Sequence, residues 1–243
     1  MGEFTLTRQE AKLLVAAIDK SKTAGITGNL FIAGKQVIAT DHFAVIVLDV
    51  DTDAAIPPVV LHGPRFREVM KHNPQSITVH VKDDEAEISF ESTNGPAIAH
   101  VPIIQQGGFP IGISGALTIN EMSHGCVLSA DLRRATKNLT NSFLKEHRGL
   151  LRASVSSGDS ALKWREDGQF TTLLELAKVE TGTSSIYLDP KRFKLIITSM
   201  LWKDSFPMVD IWLNDRAVVL KVPGIQVVLA GVRVNEALSN KAQ

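Results

Sequence analysis

The feature that most constrains this chain is that it is written twice. "LHGPRFREVM" (Leu61–Met70) returns as "LDPKRFKLII" (Leu188–Ile197). "GPAIAHVPII" (Gly95–Ile104) returns as "VPGIQVVLAG" (Val222–Gly231), with Pro96/Ile98 and Pro223/Ile225 both displaced by 127 residues. "FTLTRQEAKLLVAAIDKSK" is echoed more faintly by "CVLSADLRRATKNLTNSFLK", where Leu6-Thr7 and Leu128-Ser129 each close an apolar strand and open a helix. A repeat at half the chain length means that both halves must satisfy one supersecondary plan. The 243 residues are 44 % hydrophobic and 21 % charged, enough apolar material for two full cores.

Local signals give the plan its elements. Thr7 and Glu10 have the spacing of a capping box, and Leu6 with Ala11 that of a hydrophobic staple. Pro64 and Pro190 sit just inside helix starts, where a missing N–H costs nothing. These signals predict helices over Thr7–Lys22, Pro64–Asn73, Asp131–Arg148 and Asp189–Lys203. Between them the pattern switches to period two in "NLFIAGKQVIATD", "HFAVIVLDV", "SITVHVKDDEAEISFES" and "MVDIWLNDRAVVLKV", with "KDDEA" and "LNDRA" as hairpin tips. The expected class is α+β: two repeated domains, each of antiparallel sheets and two helices. The boundaries fall at 1–106 and 121–234, with Gly-rich "IIQQGGFPIGISG" supplying a connector over 107–120 and residues 235–243 a free tail.

The helix predicted over Asp131–Gly149 has a divided character. At 3.6 residues per turn, Leu132, Thr136, Leu139 and Phe143 form one stripe. Arg133, Arg134, Lys137, Asn141, Lys145 and Arg148 fall opposite. The same bias holds across all four predicted helices, which carry 16 basic and 6 acidic residues, leaving 10 basic and 20 acidic for everything else. A formal net charge of zero thus conceals a segregation. If the helices share a surface it is strongly positive, which suits a polyanion held through its phosphates without sequence readout. Phe66, Phe143 and Phe193 lie on the apolar stripes, so the helices carry no aromatic interleaving for single strands.

Other classes find less support. Asp41-His42 lacks an identifiable serine partner, and adjacent strand residues point to opposite faces. His124-Gly-Cys126 has no second ligand pair at usable spacing. "GGFPIGISG" has no Lys-Ser/Thr after it, so a connector turn accounts for it better than a phosphate loop. No catalytic residue, metal or cofactor is expected. The lone Cys126 excludes an internal disulfide framework and fits a reducing compartment. "MGEFTL" is neither a secretory leader nor a good myristoylation site, and no apolar run approaches about 18 residues, so a soluble intracellular protein is expected.

The repeated unit, together with "VIATDHFAV" (Val37–Val45), "GGFPIG" (Gly107–Gly112) and "IQVVLAGVRV" (Ile225–Val234), resembles the bacterial DNA sliding clamp, the β subunit of the replicative DNA polymerase III. "TDH" resembles that family's "TDGHRLA", "GGFP" its "GRFPDY", and "VVLAGVRV" its "VVMPMRL". The likeness runs over nearly the whole chain and matches the second and third of the bacterial clamp's three domains. It implies the DNA clamp fold and a cytoplasmic, nucleoid-associated processivity factor, of a cellular, plasmid or viral replicon. Such a factor encircles duplex DNA and tethers a polymerase and a clamp loader, with sheets outside and helices inside.

On that implication the DNA-facing residues are Arg8, Lys12, Lys20, Lys22, Arg65, Arg67, Lys71, Arg133, Arg134, Lys137, Lys145, Arg148, Lys191, Arg192 and Lys194. The family's pocket for partner peptides maps onto Leu14, Thr40, His42, Phe43, Val45, Pro110, Val228, Leu229 and Val232. The sequence departs from the family there: the glycine between Asp and His is missing, Phe43-Ala44 replaces Arg-Leu, and Leu229-Ala230-Gly231-Val232 replaces the Met-Pro-Met turn. Ring size follows from helix spacing. With about 9 Å between axes, eight helices leave about 6 Å of free radius and twelve leave about 12 Å. A duplex whose grooves alone are about 8 Å deep passes only the larger ring, so a homotrimer is expected. The competing expectation is a clamp-like protein-binding module that does not encircle DNA.

Overall fold

The computed structural model describes residues 2–18, 20, 25–41, 43–104, 122–146, 149–156, 160–166, 169–176, 178–181, 184–201 and 206–232. The chain divides into two units, Met1–Ala116 with Gly224–Val227, and Leu117–Pro223 with Val228–Gln243. The expected connector over 107–120 and the tail over 235–243 lie outside the described residues. Among the described residues no helix is long and apolar enough to cross a membrane.

In unit 1, β1 (Gly2–Thr7) leads into α1 (Arg8–Ala16), and β2 (Leu30–Gly34), β3 (Gln36–Thr40), β4 (Ala44–Asp49) and β5 (Ile56–Leu61) follow. Then come α2 (Gly63–Lys71), β6 (Ser76–Val81), β7 (Glu85–Ser92) and β8 (Gly95–Pro102). Two antiparallel sheets result, ordered β1-β6-β7-β8 and β4-β3-β2-β5. Unit 2 repeats the order with β9 (Ser123–Leu128), α3 (Ser129–Asn138) and a single-turn α4 (Phe143–Glu146). It continues with β10 (Leu150–Val155), β11 (Ala161–Glu166), β12 (Gln169–Glu175), β13 (Lys178–Thr181) and β14 (Ser184–Leu188). α5 (Pro190–Met200), β15 (Met208–Leu213), β16 (Ala217–Val222) and, from Val228 on, β17 (Ile225–Ala230) complete it. Its sheet orders, β9-β15-β16-β17 and β12-β11-β10-β14, match those of unit 1, with β13 added beside β9. The repeat is therefore topological, strand for strand.

The strands follow their sequence periods. β6 and β7 bury Ile77, Val79, Val81, Ala86, Ile88 and Phe90 and turn the intervening polar residues outward. Both expected hairpin tips form, Lys82 N–H donating to the Glu85 carbonyl at 2.9 Å and Asn214 N–H to that of Ala217 at 3.1 Å. The repeated "GP" and "PG" steps are hairpin turns as well: Gly95 (φ 104°) and Gly224 (φ 74°) hold the left-handed backbone that such turns need.

The helices are shorter than their sequence signals suggest, each for a local reason. The capping box forms: Glu10 N–H donates to Thr7 Oγ1 at 3.3 Å and Thr7 N–H to Glu10 Oε2 at 2.7 Å. However, α1 ends at Ala16, not Lys22, because Ala17 and Ile18 donate to carbonyls only three residues back and plunge into the core. α2 begins at Gly63, where a Cβ would lie 1.9 Å from the Gly28 carbonyl oxygen, so only glycine fits. It stops at Lys71, closed by Asn73 in the left-handed conformation (φ 56°). The continuous helix expected over Asp131–Gly149 is broken. Asn138, Thr140, Asn141 and Ser142 compete for backbone groups. Leu139 leaves helical geometry (ψ 62°), and Thr140 Oγ1 accepts the Phe143 N–H to start α4. α5 spans Pro190–Met200 behind an Asp189 cap instead of reaching Lys203.

Candidate nucleic-acid interface

The break in the Asp131–Gly149 stretch shapes a cationic surface of unit 2. α3 packs on α5, and Leu132, Ala135, Leu139, Phe193, Ile196 and Ile197 are all buried. On α3, Arg133 and Lys137 are four residues apart and share a face. On α5, Lys191, Lys194 and Thr198 recur at the same helical spacing. Lys194 Nζ reaches across to Asn141 Oδ1 at 3.0 Å, tying α5 to the break. Two adjoining clefts follow. One, of about 580 Å³, is lined by Arg133, Lys137, Asn141, Lys194 and Thr198. The other, of about 490 Å³, is lined by Lys145, Lys191, Lys194 and the exposed Leu195. Among the described residues no carboxylate lines either cleft. Five cations over a trough of threonine, asparagine and serine can bind a run of phosphates.

The other predicted cations have varied settings. Arg134 is exposed, lines neither cleft and pairs with Asp131 at 3.1 Å. Arg192 is half-buried, its amide N–H donating to Asp189 Oδ1 at 2.8 Å. Arg148 and Lys22 lie outside the described residues. In unit 1, α1 packs against α2. Lys12 and Lys71 are exposed there, and Lys20 is exposed beyond the helix end. Arg67 is half-buried. Arg8 is half-buried with its Nε enclosed. Arg65 donates to Glu68 Oε2 at 2.8 Å. That guanidinium holds the Glu68 carboxyl below its ordinary range, chiefly through the hydrogen bond and then through its charge. Each unit thus has one helical arginine paired with a carboxylate three residues away, Arg65 with Glu68 and Arg134 with Asp131. Sequence periodicity places the cations on one side. It misses the role of Asn141 and the cleft itself, because both depend on a helix break that a 3.6-residue template does not contain.

The residues of the partner-peptide mapping are distributed as follows. Leu14, on the inner side of α1, is fully buried and Thr40 at the end of β3 nearly so, both core residues of unit 1. Phe43 is 52 % exposed and Val45 half-buried. In unit 2, Val228 and Leu229 are buried and Val232 is half-buried. His42 and Pro110 lie outside the described residues. Asp41 acts structurally, its Oδ1 accepting the N–H groups of Phe43 and Ala44 at 3.1 and 2.9 Å and so turning the chain into β4. His124 stacks on Trp212 with centroids 4.5 Å apart, and its Nε2 lies 3.4 Å from Asp210. Cys126, on the same strand, is half-buried.

No family model matches the sequence, and no curated protein does either. Solved structures do match the fold. A putative DNA polymerase III β subunit from Eubacterium rectale superposes with a TM-score of 0.72 at 14 % identity, over 96 % of this chain and 66 % of its own length. The DNA polymerase sliding clamp of Bacillus subtilis gives 0.68 at 14 % identity, over 96 % and 64 %. The sliding clamp of Bartonella birtlesii, solved bound to griselimycin, gives 0.66 at 15 %, over 96 % and 66 %. The chain thus spans slightly less than two thirds of the structures it resembles. Two α+β units of antiparallel sheet and paired helices, built on one repeated topology, have the fold of the DNA sliding clamps.

Proposed function

We propose that this chain is a sliding clamp: a non-catalytic processivity factor whose subunits encircle duplex DNA and tether replication proteins. The observation that carries the reading is the pair of cationic clefts across α3, α4 and α5, lined by no carboxylate among the described residues, on a fold shared with DNA clamps. Arg133, Lys137, Lys145, Lys191 and Lys194 make the main phosphate contacts. The exposed Lys12, Lys20 and Lys71 add weaker ones, as do Arg8, Arg65, Arg67, Arg134 and Arg192. Contact is through phosphates alone, so binding is independent of sequence and steeply salt-dependent. A subunit of two units closes a DNA-sized lining as a trimer. Partner proteins, a polymerase and a clamp loader among them, dock through a hydrophobic motif, for which exposed Phe43 is the first contact.

The test combines mass and retention. Light scattering of the purified chain should give three times 26.4 kDa. The triple variant Lys137→Glu/Lys145→Glu/Lys194→Glu should lose retention on nicked circular DNA while keeping that mass. Unchanged retention removes the DNA-facing role from these helices. The second reading, a clamp-like protein-binding module that does not encircle DNA, is favoured by the carboxylate pairing of Arg65 and of Arg134 on the helices. A stable monomer with no retention on circles would establish it in place of the first.

A further inference from the structure

On the solvent face of the β1-β6-β7-β8 sheet, four titratable side chains stand in one cross-strand row. Glu3 pairs in register with His80, His80 with Glu87, and Glu87 with His100. Glu85 lies two residues before Glu87 on β7, so both carboxylates share this face. His100 Nδ1 is 2.9 Å from Glu85 Oε1. One donor atom each from Glu85, Glu87 and His100 lies within 4.8 Å of the other two. The side chains are partly exposed, so rotation about their outer bonds is open to them.

We propose that Glu85, Glu87 and His100 form a surface site for one Zn²⁺ ion. A tetrahedral zinc with nitrogen and oxygen bonds of about 2.1 Å places its ligand atoms about 3.4 Å apart. The three donors therefore need to close by little more than about 1 Å, which carboxylate rotation supplies. Water takes the fourth position. Imidazole beside two carboxylates selects a transition metal over Mg²⁺ or Ca²⁺, which demand six or more oxygens. The ligands come from neighbouring strands, so the ion would staple β7 to β8. Lys82, at the hairpin tip, now pairs with Glu87 and holds its carboxyl below the usual range. Zinc would have to displace that ammonium, which makes Lys82 an antagonist of the site. The proposal does not depend on the DNA-binding reading.

Calorimetric titration of the untagged full chain with Zn²⁺, and separately with Mg²⁺, tests this. One zinc equivalent should bind and raise Tm, with Mg²⁺ far weaker. His100→Ala and Glu85→Gln, both at exposed positions that leave the fold intact by circular dichroism, should each weaken zinc by about tenfold or more. Lys82→Ala should tighten it severalfold by freeing Glu87. The site is overturned by the absence of saturable zinc binding, or by an isotherm that survives the His100→Ala/Glu85→Gln double variant. Magnesium as tight as zinc, or no gain in Lys82→Ala, overturns it equally.

Discussion

Unit 1 and unit 2 share one strand order, yet their second sheets live in different environments. In β4-β3-β2-β5, consecutive residues are buried: Leu30, Phe31 and Ile32 on β2, Val37, Ile38 and Ala39 on β3, and Ile46, Val47 and Leu48 on β4. Both faces of that sheet are covered. In β12-β11-β10-β14 burial alternates over residues 151–153, 162–165 and 186–188, while residues 169–172 of β12 are exposed throughout. Leu151, Leu162, Trp164, Ile186 and Leu188 go to the core. Arg152, Lys163, Arg165, Phe170 and Tyr187 face outward, with Arg165 donating to the Tyr187 hydroxyl at 2.8 Å and lying over both rings. Topology sets which strands pair; the period of hydrophobicity sets how many faces are dry. The contrast breaks most sharply at matched positions. Ile38→Ala on β3 should cost about 2–5 kcal/mol, because a fully enclosed side chain leaves a cavity. Lys163→Thr on the outward side of β11 should cost clearly less, since no enclosed apolar side chain is lost. Urea denaturation of the two variants measures both. Equal losses would mean that the outward face of unit 2 is as enclosed as that of unit 1.

The helices of the two units differ in electrostatics more than in length. Among the second helices, α2 pairs Arg65 with Glu68 while α5 carries Lys191, Arg192 and Lys194 with no acid of its own; of the first helices, α3 pairs Arg134 with Asp131. If these helices serve to contact phosphates, unit 2 should dominate the binding. Lys137→Gln with Lys194→Gln should reduce the slope of log affinity against log salt by about 1.8, two contacts at about 0.9 each. Lys12→Gln with Lys71→Gln should reduce it by less. Fluorescence anisotropy with a duplex across a salt series reads the two slopes; the reverse order would shift the principal contact surface to unit 1.

A third difference is crossed between the units. Unit 1 caps its first helix with Thr7 and leaves the second without a side-chain cap at His62. Unit 2 leaves its first helix uncapped at Leu128, 46 % exposed, and caps its second with Asp189, whose Oδ1 accepts the Arg192 N–H at 2.8 Å. Thr7→Ala and Asp189→Ala should each lose about 1 kcal/mol. Leu128→Asp should gain up to about 1 kcal/mol, since it supplies an acceptor to free N–H groups and a negative charge to the helix start. Thermal melts of the three variants decide it. A destabilised Leu128→Asp would show that this leucine packs against something its exposure conceals.

These contrasts also mark how far the sequence can be read. Period-two runs such as "SITVHV" state their inward face outright, and the repeat at 127 residues carries the topology of one unit to the other. Turn chemistry is equally plain at Gly95 and Gly224. Helix ends are less so. Thr7 announces a start, but nothing near Ala16 announces a stop, because the stop is a tertiary event: Ala17 and Ile18 turn into the core. The break at Leu139 is of the same kind. Its polar run is visible in "NLTNS", yet the amphipathic stripe over Leu132, Thr136, Leu139 and Phe143 hides it by continuing on the far side. The candidate clefts depend on that break, so the cations are legible in the sequence and their arrangement is not. The Glu85/Glu87/His100 cluster needs cross-strand register, which no single strand encodes.

The smallest expected effect concerns the Arg65–Glu68 pair, which separates α2 from the acid-free α5. The Glu68 carboxyl sits below its ordinary pKa near 4.5 because Arg65 donates to it. A depressed carboxylate contributes stability that is present above the unfolded value and lost as pH falls through the folded one. Both partners are well exposed and solvent-screened, so the contribution is slight. Glu68→Gln should therefore shift Tm marginally at neutral pH and not at all once the pH lies below the folded value. It should simultaneously release Arg65, raising duplex affinity a little at low salt and leaving it unchanged at high salt. The corresponding neutralisation has no target on α5. If Glu68→Gln raised affinity as much at high salt as at low, the gain would come from a rearranged helix and not from an unmasked charge.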